Sequence, residues 1–122
     1  MAKILIVEDD TVLQQALSEY LTAEKFEVVL AADGETGVQT ALSEKPDLIL
    51  LDIILPKKDG YEVLQEIKSN EATKDIPIVL LTNLGSISDV EKALEMGATT
   101  YLVKADYKLE EVTSKVKEIL GI

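Results

Sequence analysis

The chain has no cysteine and no histidine, and its 122 residues include no tryptophan and a single phenylalanine. Without cysteine there are no disulfides and no thiolate metal sites. Without histidine there is no imidazole ligand, the commonest general base is missing, and no phosphohistidine can form within the chain. Chemistry is therefore left to carboxylates, hydroxyls, lysines and backbone groups, which favours oxygen-bound Mg²⁺, Mn²⁺ or Ca²⁺. Long apolar runs are also lacking: none approaches the roughly 20 residues that cross a bilayer. Met1-Ala2-Lys3 is followed by only the short apolar run Ile4 to Val7, too little for the core of a signal peptide. A cytoplasmic location is the expectation. The net charge of −11 disfavours nucleic acid and anionic lipid, so neither direct nucleic-acid binding nor membrane binding is expected. Most surface acids are read simply as solubilising.

What the chain does have is 47% hydrophobic residues, enough to fill the aliphatic core of one domain spanning residues 1–122. Five short apolar runs, Ile4 to Val7, Phe26 to Ala31, Leu48 to Leu51, Ile76 to Leu81 and Tyr101 to Val103, read as strands. Between them lie helical stripes. The first carries Val12, Leu13, Ala16, Leu17, Tyr20 and Leu21; the second Val38, Ala41 and Leu42; the third Val63, Leu64 and Ile67. The fourth carries Val90, Ala93, Leu94 and Met96, and the fifth Val112, Val116, Ile119 and Leu120. Asp10 reads as a helix cap, Ser88-Asp89-Val90-Glu91 as a capping box, and Gly97 as a left-handed helix end. Asp33-Gly34 and Lys45-Pro46-Asp47 supply turns.

The pattern is (βα)5, an α/β fold. Right-handed crossovers and too few units for a barrel leave an open, doubly wound five-stranded parallel sheet, and the flavodoxin-like strand order 2-1-3-4-5 is the expectation. Such a sheet binds ligands outside the carboxyl ends of strands one and three. Those ends carry Glu8-Asp9-Asp10 and Asp52, a carboxylate cluster suited to a hard cation. Thr82 ends strand four and Lys104 ends strand five, so both are expected at the same crevice. Acids alone would bind metal; acids with a hydroxyl and an ammonium make a place for a phosphoryl group.

Glu8-Asp9, Asp52 followed by Pro56 and Asp59-Gly60, then Thr82, Tyr101 and Lys104 together resemble the receiver domain of two-component response regulators, over nearly the whole chain and most closely a single-domain, chemotaxis-regulator-like form. The resemblance implies that Asp52 accepts a phosphoryl group from a histidine kinase, a phosphotransfer protein or a small phosphodonor. It implies Mg²⁺, with Mn²⁺ as the other ion of this kind, held by Asp9, Asp52 and the backbone carbonyl of Ile54, with Glu8 acting through water. Lys104 would place positive charge on the phosphoryl oxygens and Thr82 a hydrogen bond. Thr82 and Tyr101 would then switch the face made by helix four, strand five and helix five, including Lys92 and Glu95, toward an unidentified downstream protein. The chain would be a monomer or a weak phosphorylation-dependent dimer. It would not be a metabolic enzyme, catalysing only its own phosphorylation and dephosphorylation.

Two positions depart from the family pattern. Ala105 stands after Lys104 where proline is usual, so a trans bond is expected there, and Asn83 follows Thr82 where a small residue is common. Ile54 and Leu84, both branched and apolar, flank the expected phosphoryl position and offer nothing to orient water, which predicts slow self-dephosphorylation. The alternative is an atypical receiver that binds partners without being phosphorylated. A haloacid-dehalogenase-like phosphatase is disfavoured, because Asp52-Ile53-Ile54 lacks the second aspartate such enzymes use as acid.

Overall fold

Alternating strands and helices build the molecule from its first residues onward. In a computed structural model, which describes residues 2–53, 55–82, 87–103 and 108–122, the elements are β1 (Lys3–Val7), α1 (Thr11–Ala23), β2 (Glu27–Ala31), α2 (Gly34–Glu44), β3 (Leu48–Asp52), α3 (Gly60–Ser69), β4 (Ile78–Thr82), α4 (Ile87–Glu95), β5 (Thr100–Val103) and α5 (Leu109–Leu120). The strands form one parallel sheet in the expected order β2-β1-β3-β4-β5.

Strand side chains alternate between two faces, and each face has its own core. Leu5, Val7, Ile49, Leu51, Ile78 and Leu80 meet α2, α3 and α4 through residues such as Val38, Ala41, Leu64 and Ala93. Ile4, Ile6, Leu48, Leu50, Val79 and Leu81 meet Leu17 and Leu21 of α1 and Val112 and Val116 of α5. β3 is buried along its full length, which makes it the spine of both cores.

Helix ends follow local chemistry. The Asp10 carboxylate accepts the Val12 and Leu13 N–H groups at 3.0 and 3.2 Å, so α1 starts as expected. Gly97 has φ +111°, the conformation that closes the chain after α4 without a side-chain clash. Lys45 takes a left-handed conformation at the end of α2, within the expected turn.

Four expectations need correction. Asp33-Gly34 is the entrance of α2 and not merely a turn: Asp33 caps the helix by accepting the Thr36 N–H at 2.8 Å, and Gly34 is its first residue. Ser88 lies inside α4, which begins at Ile87, so the capping box read there does not mark the helix start. Val12 is 78% exposed, because the first turn of α1 stands at the strand ends, beyond the apolar surface that Leu17 and Leu21 cover. Leu42 and Leu94 are likewise exposed, since each lies at the margin of a stripe whose centre is buried. The peptide bond before Ala105 lies outside the described residues.

Burial predicts a contrast. Leu50→Ala, in the fully buried spine, should cost about 2–5 kcal/mol in chemical denaturation, whereas Val12→Ala should stay within about 0.5 kcal/mol. Equal effects would contradict this division between core and helix rim.

Candidate functional site

Register creates the site. Val7 of β1 pairs with Leu51 of β3, so the residues that follow, Glu8 and Asp52, emerge side by side. The Glu8 N–H donates to the Ala31 carbonyl at 3.0 Å, which extends the β1–β2 ladder past Val7 and holds Glu8 in line with its strand. Glu8 is fully buried and Asp52 is 6% exposed. With exposed Asp9 they place one carboxylate oxygen each within 4.8 Å of one another.

Like charges this close, two of them out of water, oppose each other and are costly to bury. Part of the cost is offset by the Asp10 N–H, which donates to Glu8 Oε2 at 3.2 Å. The donor set is entirely hard oxygen, and its crowding is what a small divalent cation relieves, so these residues fit Mg²⁺ or Mn²⁺. A soft metal has no ligand here.

The segment after Asp52 is held against the strand it leaves. The Gly60 N–H donates to the Ile53 carbonyl at 2.6 Å. A Cβ on Gly60 would lie 2.6 Å from the Asp52 carbonyl oxygen, so only glycine lets α3 begin this close to the strand end. Asp59 caps α3 by accepting the Glu62 N–H at 2.9 Å. The Lys58 ammonium reaches both carboxylate oxygens of Glu66 at 2.7 Å. That hydrogen bond raises the Lys58 pKa above its ordinary value, against a smaller lowering from burial.

Of the residues expected in the crevice, Glu8, Asp9 and Asp52 come together. Thr82 ends β4 one residue past Leu81, the register partner of Asp52, so its backbone stands next to the site. Tyr101 pairs with Leu80 in the edge strand β5 and is 42% exposed, an outward position. Ile54, Asn83, Leu84 and Lys104 lie outside the described residues. Lys92, expected on the face shared by α4, β5 and α5, has its ammonium 4.5 Å from the centre of the Tyr61 ring in α3.

Sequence reasoning missed Gln14. Its Nε2 donates to the carbonyls of Glu8 and Ala31 at 3.0 and 3.2 Å, tying the ends of β1 and β2 beneath the acidic cluster. One glutamine on an amphipathic helix carries no signal that separates it from a solvated one.

The model of the response regulator receiver domain family matches residues 4–117. The DNA-binding dual master transcriptional regulator RpaA of Synechocystis is 39% identical over 98% of the chain, but the match covers 49% of that protein. The chain thus spans about half the length of the curated relatives it matches. A two-component response regulator from Clostridium difficile superposes with a TM-score of 0.91 at 34% identity, covering 98% of this chain and 96% of the other. The receiver domain of a Pseudomonas aeruginosa sensor histidine kinase, with a magnesium ion coordinated in its active-site cleft, superposes with a TM-score of 0.90 at 34% identity, covering 99% and 98%.

The crowding has a measurable sign. Asp9→Asn should raise the stability of the metal-free protein by on the order of 1 kcal/mol, as one repelling charge is removed. The same variant should lose most of the thermal stabilisation that Mg²⁺ gives the unmodified chain. Thermal melts in chelator and in Mg²⁺ check both; a metal-free loss of stability would contradict the repulsion.

Proposed function

Because the chain belongs to the response regulator receiver domain family, we propose that it works as a phosphoaspartate switch in a two-component system, with Asp52 as the phosphoacceptor. One observation carries the reading: Asp52, almost fully buried at the end of an apolar strand, has its carboxylate within 4.8 Å of those of Glu8 and Asp9. A buried charge beside two others is unfavourable for a structural residue and useful for one that must receive a negatively charged group on a cation.

In the proposed step an Asp52 carboxylate oxygen attacks phosphorus. The bond from phosphorus to the donor breaks, to nitrogen in a kinase phosphohistidine or to oxygen in a small acyl phosphate, and the donor atom leaves with the electron pair. The product is an acyl phosphate on Asp52. Asp9, Asp52 and the Ile54 carbonyl would hold the cation, with Glu8 one water away. When bound, Mg²⁺ neutralises the crowded carboxylates and the phosphoryl oxygens so that they can come into line. Lys104 supplies a fixed positive charge to those oxygens and Thr82 a hydrogen bond. The magnesium ion in the cleft of the Pseudomonas receiver supports the cation assignment.

The chain has no histidine, so the phosphoryl group comes from another molecule, a histidine kinase, a phosphotransfer protein or a small phosphodonor. The new group gives Thr82 a partner and shifts the population of the face built on α4, β5 and α5, where Tyr101 is half exposed. A downstream protein reads that change. Net charge −11 argues against this chain itself gripping nucleic acid. Ile54 and Leu84 keep water from the acyl phosphate, which slows its loss.

Acetyl phosphate or beryllofluoride with Mg²⁺ should produce a saturable change in the NMR shifts of β4, β5 and their neighbours that disappears in Asp52→Asn. No change in the unmodified chain, or a change that survives in Asp52→Asn, would sink the proposal and favour a phosphorylation-independent binding module.

A further inference from the structure

The loop that follows Asp52 is clamped by α2, distant in sequence, and by α3, the helix it leads into. From α2, the Gly34 N–H donates to the Pro56 carbonyl at 3.3 Å. A Cβ built on Gly34 would collide with the Lys58 carbonyl oxygen and would lie 2.7 Å from Lys58 Cβ. Asp33, which caps α2, pairs with the Lys57 ammonium at 3.8 Å. From α3, Glu66 takes the Lys58 ammonium in a two-pronged contact. Between these clamps Lys57 has φ +69°, a left-handed conformation that lysine disfavours, and the Lys58 N–H folds back onto the Pro56 carbonyl at 2.8 Å. A non-glycine residue keeps such a backbone only where its surroundings impose it.

From this geometry we infer that Gly34, with the Lys57-Lys58 pair, is a positioning element for the cation and phosphoryl site. Gly34 belongs to α2 and stands outside the acidic cluster of Glu8, Asp9 and Asp52. It acts by letting the first turn of α2 sit directly on the Lys58 carbonyl, and this contact fixes the path of the chain from Asp52 to Gly60. That path contains Ile54, whose carbonyl the proposed function assigns to the cation, so the inference rests on that reading. The acceptor's own strand is buried in the core along its length; among the described residues of the loop, Leu55 anchors in the core and the Ile53 N–H donates to the Leu81 carbonyl, while these clamps and the Gly60–Ile53 hydrogen bond set the rest. Any β-carbon at position 34 must push the loop backbone, because the obstacle is a carbonyl and not a flexible side-chain tip.

Two variants test this, with Mg²⁺ affinity measured by titration and stability by denaturation, together with Val116→Ala as a control that weakens the core on the opposite sheet face. Gly34→Ala should weaken Mg²⁺ binding by about ten- to hundredfold, the range found when residues that orient metal ligands are changed, while Val116→Ala lowers stability and leaves Mg²⁺ affinity unchanged. The double variant Lys57→Met/Lys58→Met serves if Gly34→Ala does not fold. Removing two positive charges near a cation site would by Coulomb attraction alone tighten Mg²⁺ binding. A loosened loop weakens it, and a net weakening is the expected result. Amide exchange in the metal-free protein should also quicken in the segment from Ile53 to Gly60 in both variants. Unchanged or tighter Mg²⁺ binding in either folded variant, or an equal loss in Val116→Ala, overturns the positioning role while leaving the proposed function intact. Failure of the unmodified chain to bind Mg²⁺ overturns both.

Discussion

Like charge held out of water at the ends of two adjacent strands is the constraint on which the rest of this structure depends. Glu8 and Asp52 are both buried, and Asp9 joins them within 4.8 Å. Nothing about folding favours that arrangement, since burying a carboxylate beside another costs free energy. The remainder of the molecule is organised to impose it. β1 and β3 are parallel neighbours in fixed register, so their terminal acids cannot separate without breaking the ladder. Both strands are packed on two faces, so neither can slip by a residue without turning its apolar side chains against the wrong helices.

Around that rigid pair the loops are pinned by specific contacts. Gln14 ties the ends of β1 and β2, Asp10 caps α1 and donates its own N–H to Glu8, and Gly60 seats α3 on the end of β3. The division of labour is physical. Hydrophobic packing sets where the strands stand, while hydrogen bonds and close glycine contacts set how the chain leaves them. For the proposed exchange of a cation and a phosphoryl group, donors that are already in place leave little reorganisation for the reacting step.

Much of this was legible in the sequence. Five apolar runs separated by helical stripes, with right-handed crossovers, lead to a doubly wound sheet, and its flavodoxin-like order to the meeting of Glu8, Asp9 and Asp52 across more than forty intervening residues. The Asp10 cap was legible because Asp before a helical stripe has a local reason to be there. Contacts between distant loops leave no periodicity, so the seat of Gly34 on Lys58 and the bridge from Gln14 to two carbonyls were not. The left-handed Lys57 had no glycine or asparagine to announce it. Val12 misled for the opposite reason: it continues an apolar stripe on paper, yet lies where the sheet beneath has ended.

Chemical mapping of the phosphorylated residue tests Asp52 as the acceptor most directly. After acetyl phosphate treatment in Mg²⁺, borohydride reduces an acyl phosphate to an alcohol, converting the modified aspartate to homoserine, and peptide mass spectrometry locates it. Homoserine is expected at position 52 and only in the presence of the divalent cation. Modification at Asp9 or Glu8, or labelling that does not depend on the cation, would contradict it.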